Sequence, residues 1–246
     1  MLRRNLQWMA LVIGMVAAIG CGPEESLSEV GVLHQAVDTH LTYDADWAVK
    51  YATANYNRVY GSGKDDNPFS DYSSYTPGGN CTNFAGQVLI AGFIKSDSAK
   101  TVYGRRYDFD IDASGTGPYR WYFRSDGDRG PAWTGAPKLR EYADNNKPAY
   151  RGLHFSFITN DTATTPLEVE KVVKGDFIFA DWTGDGSIDH TMVVTEKKPG
   201  KTYNTIRLTF QTDNKTDRGL GDINVAYGRK ALFYVYRPVD YNPAGL

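Results

Sequence analysis

The most informative stretch of the sequence is Gly78-Gly79-Asn80-Cys81-Thr82-Asn83-Phe84-Ala85-Gly86-Gln87. Two glycines precede the Cys81 thiol, and apolar residues at helical spacing follow it. The pattern predicts a helix over 81–93 with the thiol at its N-terminus. Free N–H groups and the helix dipole favour a thiolate there, so we expect a lowered thiol pKa and a nucleophilic cysteine. A buried structural cysteine is the alternative interpretation.

The composition indicates an ordinary soluble globular chain. Its 246 residues are 41% hydrophobic and 23% charged, and the formal net charge is −2. Because the 27 basic residues do not outnumber the 29 acidic ones, nothing suggests a nucleic-acid binder. The part from residue 42 to residue 246 is long enough for one domain with a substantial core.

Residues 1–20 have the pattern of a signal peptide, with basic Arg3 and Arg4 before a short apolar run. The run ends in Ala18-Ile19-Gly20-Cys21, which resembles the bacterial lipobox that precedes a lipidated cysteine. An uncleaved or ordinary signal is the alternative. The lipobox predicts a protein exported to the bacterial cell envelope and attached to the membrane through lipid on Cys21. Residues 21–41 then form a tether.

A lipid on the Cys21 sulfur would prevent a disulfide with Cys81. Cys81 would then be a free thiol in an oxidising compartment, where an idle thiol is a liability. This consideration favours a working nucleophile over a structural cysteine.

The order of the predicted elements indicates an α+β fold. Helical spacing occurs first, over residues 42–60, 81–93 and 137–145. Runs of β-branched and aromatic residues come later, at 153–158, 176–182, 189–196, 203–212 and 231–237. Helices followed by antiparallel strands are typical of an α+β domain.

A nucleophilic thiol needs a base and a group that orients the base. His190 opens a predicted strand, whereas His154 lies inside an apolar run and fits a structural position. A hairpin turn centred on Pro199-Gly200 would place residue 190 opposite residue 209. Gln211 and Asp213 would then lie beside His190, and a slip of one residue would favour Thr212 or Asn214 instead.

This chain order resembles papain-like cysteine hydrolases, and more closely the putative amidase domain family of bacterial exported proteins. The resembling stretches cover nearly all of residues 43–225, and they are Trp47–Ala52, Gly79–Phe84, Trp121-Tyr122, Ala132–Thr134, Lys174–Phe177, Asp189–Thr191 and Gln211-Thr212. The resemblance implies a papain-like fold, with Cys81 as nucleophile and His190 as base. It also implies cleavage of an amide bond through a thioester.

The chain departs from the family pattern at two positions. Asn80 stands where the family usually has Asp, and Gln211 stands where it usually has His. A glutamine can accept the imidazole N–H but supplies no charge to an imidazolium, so Asp213 is an alternative partner. For the oxyanion we expect the Cys81 backbone N–H together with Tyr75 or the Asn80 amide.

A possible metal site overlaps the histidine. Asp181–Asp189 resembles the first nine positions of an EF-hand loop, with Gly186 at position 6. Met192 stands where the loop needs a bidentate Glu, and a turn that leads into a strand explains the same residues. No His/Cys pair has the spacing of zinc ligands. We therefore expect no metal and no cofactor.

Together these features predict an exported, lipid-anchored cysteine amidase or peptidase, with peptides such as those of peptidoglycan as substrates. Two alternatives stay open. One is a non-catalytic envelope lipoprotein that uses the fold as a binding module. The other is acyl transfer, which uses the same residues with a different acceptor.

The anchor can be tested directly. We expect Cys21→Ala to release the protein from the membrane or to leave it unprocessed, because the variant lacks the sulfur that carries lipid. Membrane fractionation and the mass of the N-terminal peptide measure this. Unchanged fractionation, with no lipid mass on Cys21 in the parent protein, would contradict the prediction.

Overall fold

The structure is a computed structural model that describes residues 40–58, 68–74, 79–109, 120–125, 127–162 and 164–243. The predicted signal peptide, most of the tether and Cys21 lie outside the described residues, as does Tyr75.

Helices dominate the first half of the described chain. Five helices lie there, and they are α1 (Ala45–Asn55), α2 (Asn80–Ile94), α3 (Ala99–Arg105), α4 (Pro131–Thr134) and α5 (Ala136–Asn145). A further helix, α6 (Leu220–Ala226), lies in the second half. Short 3₁₀ turns occur at Arg106–Phe109, Val169–Lys171 and Tyr203–Thr205. Among the described residues, no helix is long and apolar enough to cross a membrane.

The second half supplies most of the strands. They are β1 (Leu41–Thr42), β2 (Phe123–Ser125), β3 (Asp128–Arg129), β4 (Gly152–Asn160), β5 (Phe177–Asp181), β6 (His190–Lys197), β7 (Ile206–Phe210), β8 (Lys215–Gly219) and β9 (Leu232–Asn242). The main sheet has the order β1-β9-β5-β6-β7-β8, and β4 also pairs with β9. Its pairs are antiparallel, and β2 and β3 form a separate small ribbon.

The α+β class is confirmed, and the predicted helix at the cysteine and the predicted helix before residue 145 occur within a residue or two. The first helix is shorter than predicted. It starts after Asp44, whose carboxylate accepts the N–H groups of Asp46 and Trp47, and it ends at Asn55. Helices α3, α4 and α6 and strands β1, β2, β3 and β8 have no counterpart in the prediction.

Helix α2 is the centre of the domain, because every residue from Asn80 to Phe93 is buried. It packs with α1, α4 and α5 against one face of the main sheet, which we call the helical face. Side chains of Phe177, Phe179 and Val193 belong to this face. Apolar residues make up most of this helix, but its buried polar residues Asn80, Thr82, Asn83 and Gln87 need hydrogen-bond partners inside the core.

The opposite face of the sheet has its own core, and we call it the α6 face. Ile178, Met192 and Leu208 pack there against Leu220 and Ile223 of helix α6. Because side chains alternate along a strand, His190 and Met192 lie on one face and Thr191 and Val193 on the other.

The aromatic clusters of the sequence lie in the core. Trp121 and Trp133 are buried, and the indole N–H of Trp133 donates to Asn83 Oδ1 on α2 at 2.9 Å. The Trp133 ring lies directly over Gly86. A Cβ added at Gly86 would come within 2.8 Å of the ring. The glycine therefore allows the indole to approach the helix backbone.

This contact predicts opposite effects for two glycine substitutions. Gly86→Ala should destabilise the protein by about 1–3 kcal/mol, because the buried indole cannot move aside. Gly104→Ala in α3 is the matched control, since a Cβ there meets nothing within 4 Å. It should be neutral or stabilise by up to about 1 kcal/mol through helix propensity. Chemical denaturation measures both changes, and equal effects of the two variants would contradict this packing.

Candidate active site

The position of the thiol is fixed by an unusual backbone turn. Gly79, which caps α2, has φ 50° and ψ −120°, and its N–H donates to Thr134 O at 2.8 Å. Glycine adopts a positive φ without steric cost. The chain therefore turns sharply at Gly79, and Cys81 follows as the second residue of the helix.

Asn80 ties the same turn to the preceding loop. Its side-chain oxygen accepts the Tyr72 N–H at 2.7 Å, and its Nδ2 donates to Asp71 Oδ1 at 2.6 Å. An amide can donate and accept at once, whereas an ionised Asp could not donate to Asp71. The structure thus gives Asn80 a role in holding residues 71 and 72 beside the thiol. Its expected contribution to an oxyanion site stays a prediction.

Cys81 is fully buried, with its sulfur 3.6 Å from Thr82 Oγ1. The sulfur also lies within hydrogen-bond reach of the Thr191 backbone N–H, on the strand that His190 opens. Burial raises the pKa of the Cys81 thiol to about 11, although the hydrogen bonds from Thr82 and Thr191 act in the opposite direction. The expected lowering of this pKa is therefore wrong, because the desolvation of a thiolate outweighs the helix N-terminus.

His190 is the first residue of β6 and is also buried. Its ring packs 5.1 Å from Phe210, edge to face, and 5.6 Å from Trp182. Its Nε2 is buried and makes no hydrogen bond within the described part of the chain. Burial lowers the pKa of His190 to about 4, so the imidazole is neutral at pH 7.

The hairpin register differs from the predicted one. Val193, and not His190, lies opposite Thr209, because the connection spans residues 198–205 and contains the 3₁₀ turn at Tyr203–Thr205. A bulge between Val194 and Glu196 then reduces the shift from four residues to three. The slip is three residues. Since an odd slip exchanges the two faces, the ring of His190 lies on the face of Phe210 and not on that of Gln211.

Gln211 follows the end of β7 and is buried. Its Nε2 donates to the Asn55 carbonyl oxygen at 3.1 Å, and its Oε1 has no partner among the residues that the structure describes. Continuing the register of Val193 and Thr209 places Gln211 opposite Thr191, on the face that carries the thiol. The hydrogen bond expected from Gln211 to the His190 ring is not formed in this structure.

Asp213 is exposed in the turn between β7 and β8 and borders a cavity of about 680 Å³. Asn80 and His190 open onto the same cavity, so it reaches the residue before the thiol. Its remaining lining is aromatic, apolar and charged, and consists of Ser73, Trp182, Asp189, Phe210, Thr212, Lys215, Arg218, Ile223, Ala226 and Tyr227.

The loop that resembles an EF-hand is organised by its own backbone. Asp181 Oδ1 accepts the N–H groups of Thr183, Gly184 and Asp185, and its Oδ2 accepts that of Gly186 at 2.7 Å. Asp189 Oδ2 accepts the Trp182 N–H at 2.9 Å. A turn that leads into β6 therefore accounts for these residues. Its effect is to hold Trp182 beside His190.

His154 occupies a structural position, as the sequence indicated. It is buried in β4, and its two ring nitrogens lie 2.6 Å from Asp240 Oδ1 and 2.8 Å from the Tyr150 carbonyl oxygen. Asp240 also meets His40 at 2.8 Å. His154 thus joins β4 to β9 at a distance along the sheet from the thiol.

Comparison with known proteins identifies a family for this chain. The chain matches the family described as a putative amidase domain over residues 42–236, which includes Cys81, His190 and Gln211. It is also similar to the uncharacterized protein YhbB of Bacillus subtilis, with 27% identity over 173 residues. That match covers 70% of this chain but only 43% of YhbB. No solved structure matches the chain significantly. Because the family match spans most of its length, the chain belongs to the putative amidase domain family.

Proposed function

We propose that this protein is a cysteine amidase or peptidase, in which Cys81 attacks an amide carbonyl and His190 takes the thiol proton. One observation carries the proposal. The Cys81 sulfur lies within hydrogen-bond reach of the Thr191 backbone N–H, and the adjacent residue, His190, has a buried ring nitrogen that no described residue partners. The family supports hydrolysis of an amide bond, and the order of nucleophile and base along the chain is papain-like.

The pKa values indicate that the Cys81 thiol and the His190 imidazole are both neutral before substrate binds. A thiol with a pKa of about 11 is protonated at pH 7, and an imidazole with a pKa of about 4 is unprotonated. The His190 ring packs against Phe210 on the α6 face, so in this proposal it turns toward the sulfur and takes the proton as the sulfur–carbon bond forms. The imidazolium then returns the proton to the departing amine, which leaves a thioester on Cys81 that water hydrolyses.

The developing oxyanion needs donors at the start of α2. The backbone N–H of Cys81 lies in the first turn of the helix, where amides have no intrahelical partner. The second hydrogen on Asn80 Nδ2 is a candidate for a further donor, since the first one goes to Asp71. Tyr75 remains the other candidate.

Gln211 is proposed as a positioning residue. Its link to Asn55 joins the end of β7 to the end of α1, beside the thiol. Its Oε1, which no described residue partners, can accept a hydrogen bond from a donor that enters the site. Asp213, on the exposed turn, is proposed to contribute less.

The setting of the reaction is inferred from the N-terminal sequence. A lipobox at Cys21 supports an exported protein held on the membrane by lipid, and peptides of the cell envelope are then the available substrates. Peptidoglycan peptides are the proposed substrate, and hydrolysis is proposed over acyl transfer because water is the default acceptor for a thioester.

A non-catalytic binding module is the second candidate, and the burial of the thiol favours it. Cys81 is 0% exposed, and the cavity borders Asn80 and His190 without including the sulfur. In a binding module the cavity would hold a ligand, and Cys81 would only fill space beneath it.

Substitutions separate these two functions. We expect Cys81→Ala and His190→Ala to abolish the release of amines from peptidoglycan peptides, with the fold intact by circular dichroism. Gln211→Ala should reduce the rate about tenfold and Asp213→Ala should reduce it less. The control, His154→Ala, should lower the melting temperature through loss of its two hydrogen bonds. Full activity in His190→Ala, or a larger loss in Asp213→Ala than in Gln211→Ala, would contradict these roles.

The protonation of the thiol gives a prediction that needs no substrate. With Cys21 removed, folded protein should react with iodoacetamide slowly at pH 7. The rate should rise as pH approaches about 11, because a raised pKa keeps Cys81 protonated at lower pH. His190→Ala should leave this profile in place, because a neutral imidazole exerts no charge on the sulfur. The outcome that excludes a neutral pair is a fast rate at pH 5–8 that disappears in His190→Ala.

A further inference from the structure

The cavity beside His190 has one strongly aromatic wall. The rings of Trp182 and Tyr227 stack with centroids 4.1 Å apart and planes only 4° from parallel. Phe210 and Ile223 extend the apolar surface on the same side of the sheet. A volume of about 680 Å³ lies in the range of small-molecule and peptide pockets.

Two cations border the cavity from strand β8. Lys215 and Arg218 are three residues apart, so a regular strand would put them on opposite faces. In this strand Lys215 lies opposite Phe210, and Arg218 lies opposite Leu208. Because Phe210 and Leu208 share the α6 face, both cations lie on that face too.

A bulge in β8 produces this arrangement. The register shifts between Leu208 and Phe210, and Asp217 adopts a positive φ of 52°. Arg207 holds the bulge by donating from Nε to Asp217 Oδ1 at 2.7 Å. By contrast, neither Lys215 nor Arg218 forms an ion pair with any residue of the described ranges. The bulge therefore presents to the cavity two cations that no described carboxylate pairs with.

Two carboxylates also border the cavity, but on other elements. Asp189 precedes β6 and accepts the Trp182 N–H, and Asp213 lies in the turn that follows β7. Asp189 lies on a different element from the cations, whereas Asp213 lies only two residues before Lys215, in the turn that leads into β8. The cavity therefore carries both signs of charge, and Arg218 is the cation farther along β8 from Asp213.

We propose that this cavity selects substrates that carry a free carboxylate, which Lys215 and Arg218 bind. An apolar or planar group beside that carboxylate packs on the wall formed by Trp182 and Tyr227. The inference rests on the proposed function for the bond cleaved, and it adds the substrate class, which is peptides with a free carboxylate. A guanidinium can hold a carboxylate by two parallel hydrogen bonds, and the ammonium adds a point charge.

Binding can be measured apart from hydrolysis in the Cys81→Ala protein. The probes are a panel of N-acetylated dipeptides with a free C-terminal carboxylate and the same panel as C-terminal carboxamides, titrated by calorimetry. We expect the carboxylates to bind about tenfold more tightly, and we expect this preference to weaken with added salt. The variant Lys215→Met/Arg218→Met should lose the preference. Arg218→Lys should keep part of it.

Lys201→Met is the matched control, because Lys201 is an exposed cation at the hairpin tip away from the cavity. It should leave the preference unchanged. Equal affinity for the two panels, or a preference that survives in the double variant while circular dichroism shows an intact fold, would overturn the proposal.

The same proteins separate this proposal from the proposed function. If the wild-type chain hydrolyses no substrate but the carboxylate preference depends on Lys215 and Arg218, the inference about carboxylate binding is supported and the proposed amidase activity is rejected. If turnover depends on Cys81 and His190 but the carboxylate preference is unchanged in the double variant, the proposed amidase activity is supported and the inference about carboxylate binding is wrong.

Discussion

The fold depends on hydrogen bonds from buried polar side chains of helix α2. Gln87 Oε1 accepts the Tyr51 hydroxyl from α1 at 2.7 Å, Asn83 Oδ1 accepts the Trp133 indole from α4, and Asn80 holds residues 71 and 72. A buried polar group without a partner is costly, so each bond fixes one neighbouring element against the helix. Cys81 lies among these residues, and its placement follows from theirs.

The burial that organises the domain also sets the charge state of the site. Desolvation raises the pKa of the Cys81 thiol and lowers that of the His190 imidazole, so it opposes a preformed ion pair from both sides. In the proposed reaction, the two groups gain reactivity only when a substrate brings donors for the new charges. The proposal therefore couples reaction to binding in the adjacent cavity, which Lys215 and Arg218 of β8 border.

Local patterns in the sequence were sufficient for the α+β class, for helix α2 and for the structural position of His154. Features that depend on distant contacts were not predictable. The predicted register of the β6–β7 hairpin was wrong because a 3₁₀ turn lengthens the connection between the strands. The turn residues Pro199-Gly200 mark a hairpin but do not reveal the length of its connection. The prediction of a lowered thiol pKa was wrong because it rested on the helix N-terminus alone. A helix N-terminus can be recognised in the sequence, whereas the burial of Cys81 depends on tertiary packing. The bulge at Asp217 in β8 was not predictable either, because it depends on a hydrogen bond from Arg207 of the neighbouring strand β7.

The central claim is that the Cys81 thiol and the His190 imidazole are both buried and neutral at rest. The most direct measurement is the protonation of the His190 ring by nitrogen-15 NMR from pH 3 to pH 9, with the signal identified by its loss in His190→Gln. The account predicts a neutral ring at pH 7 that titrates near pH 4, with little change in Cys81→Ala. An imidazolium at pH 7 that becomes neutral in Cys81→Ala would contradict it.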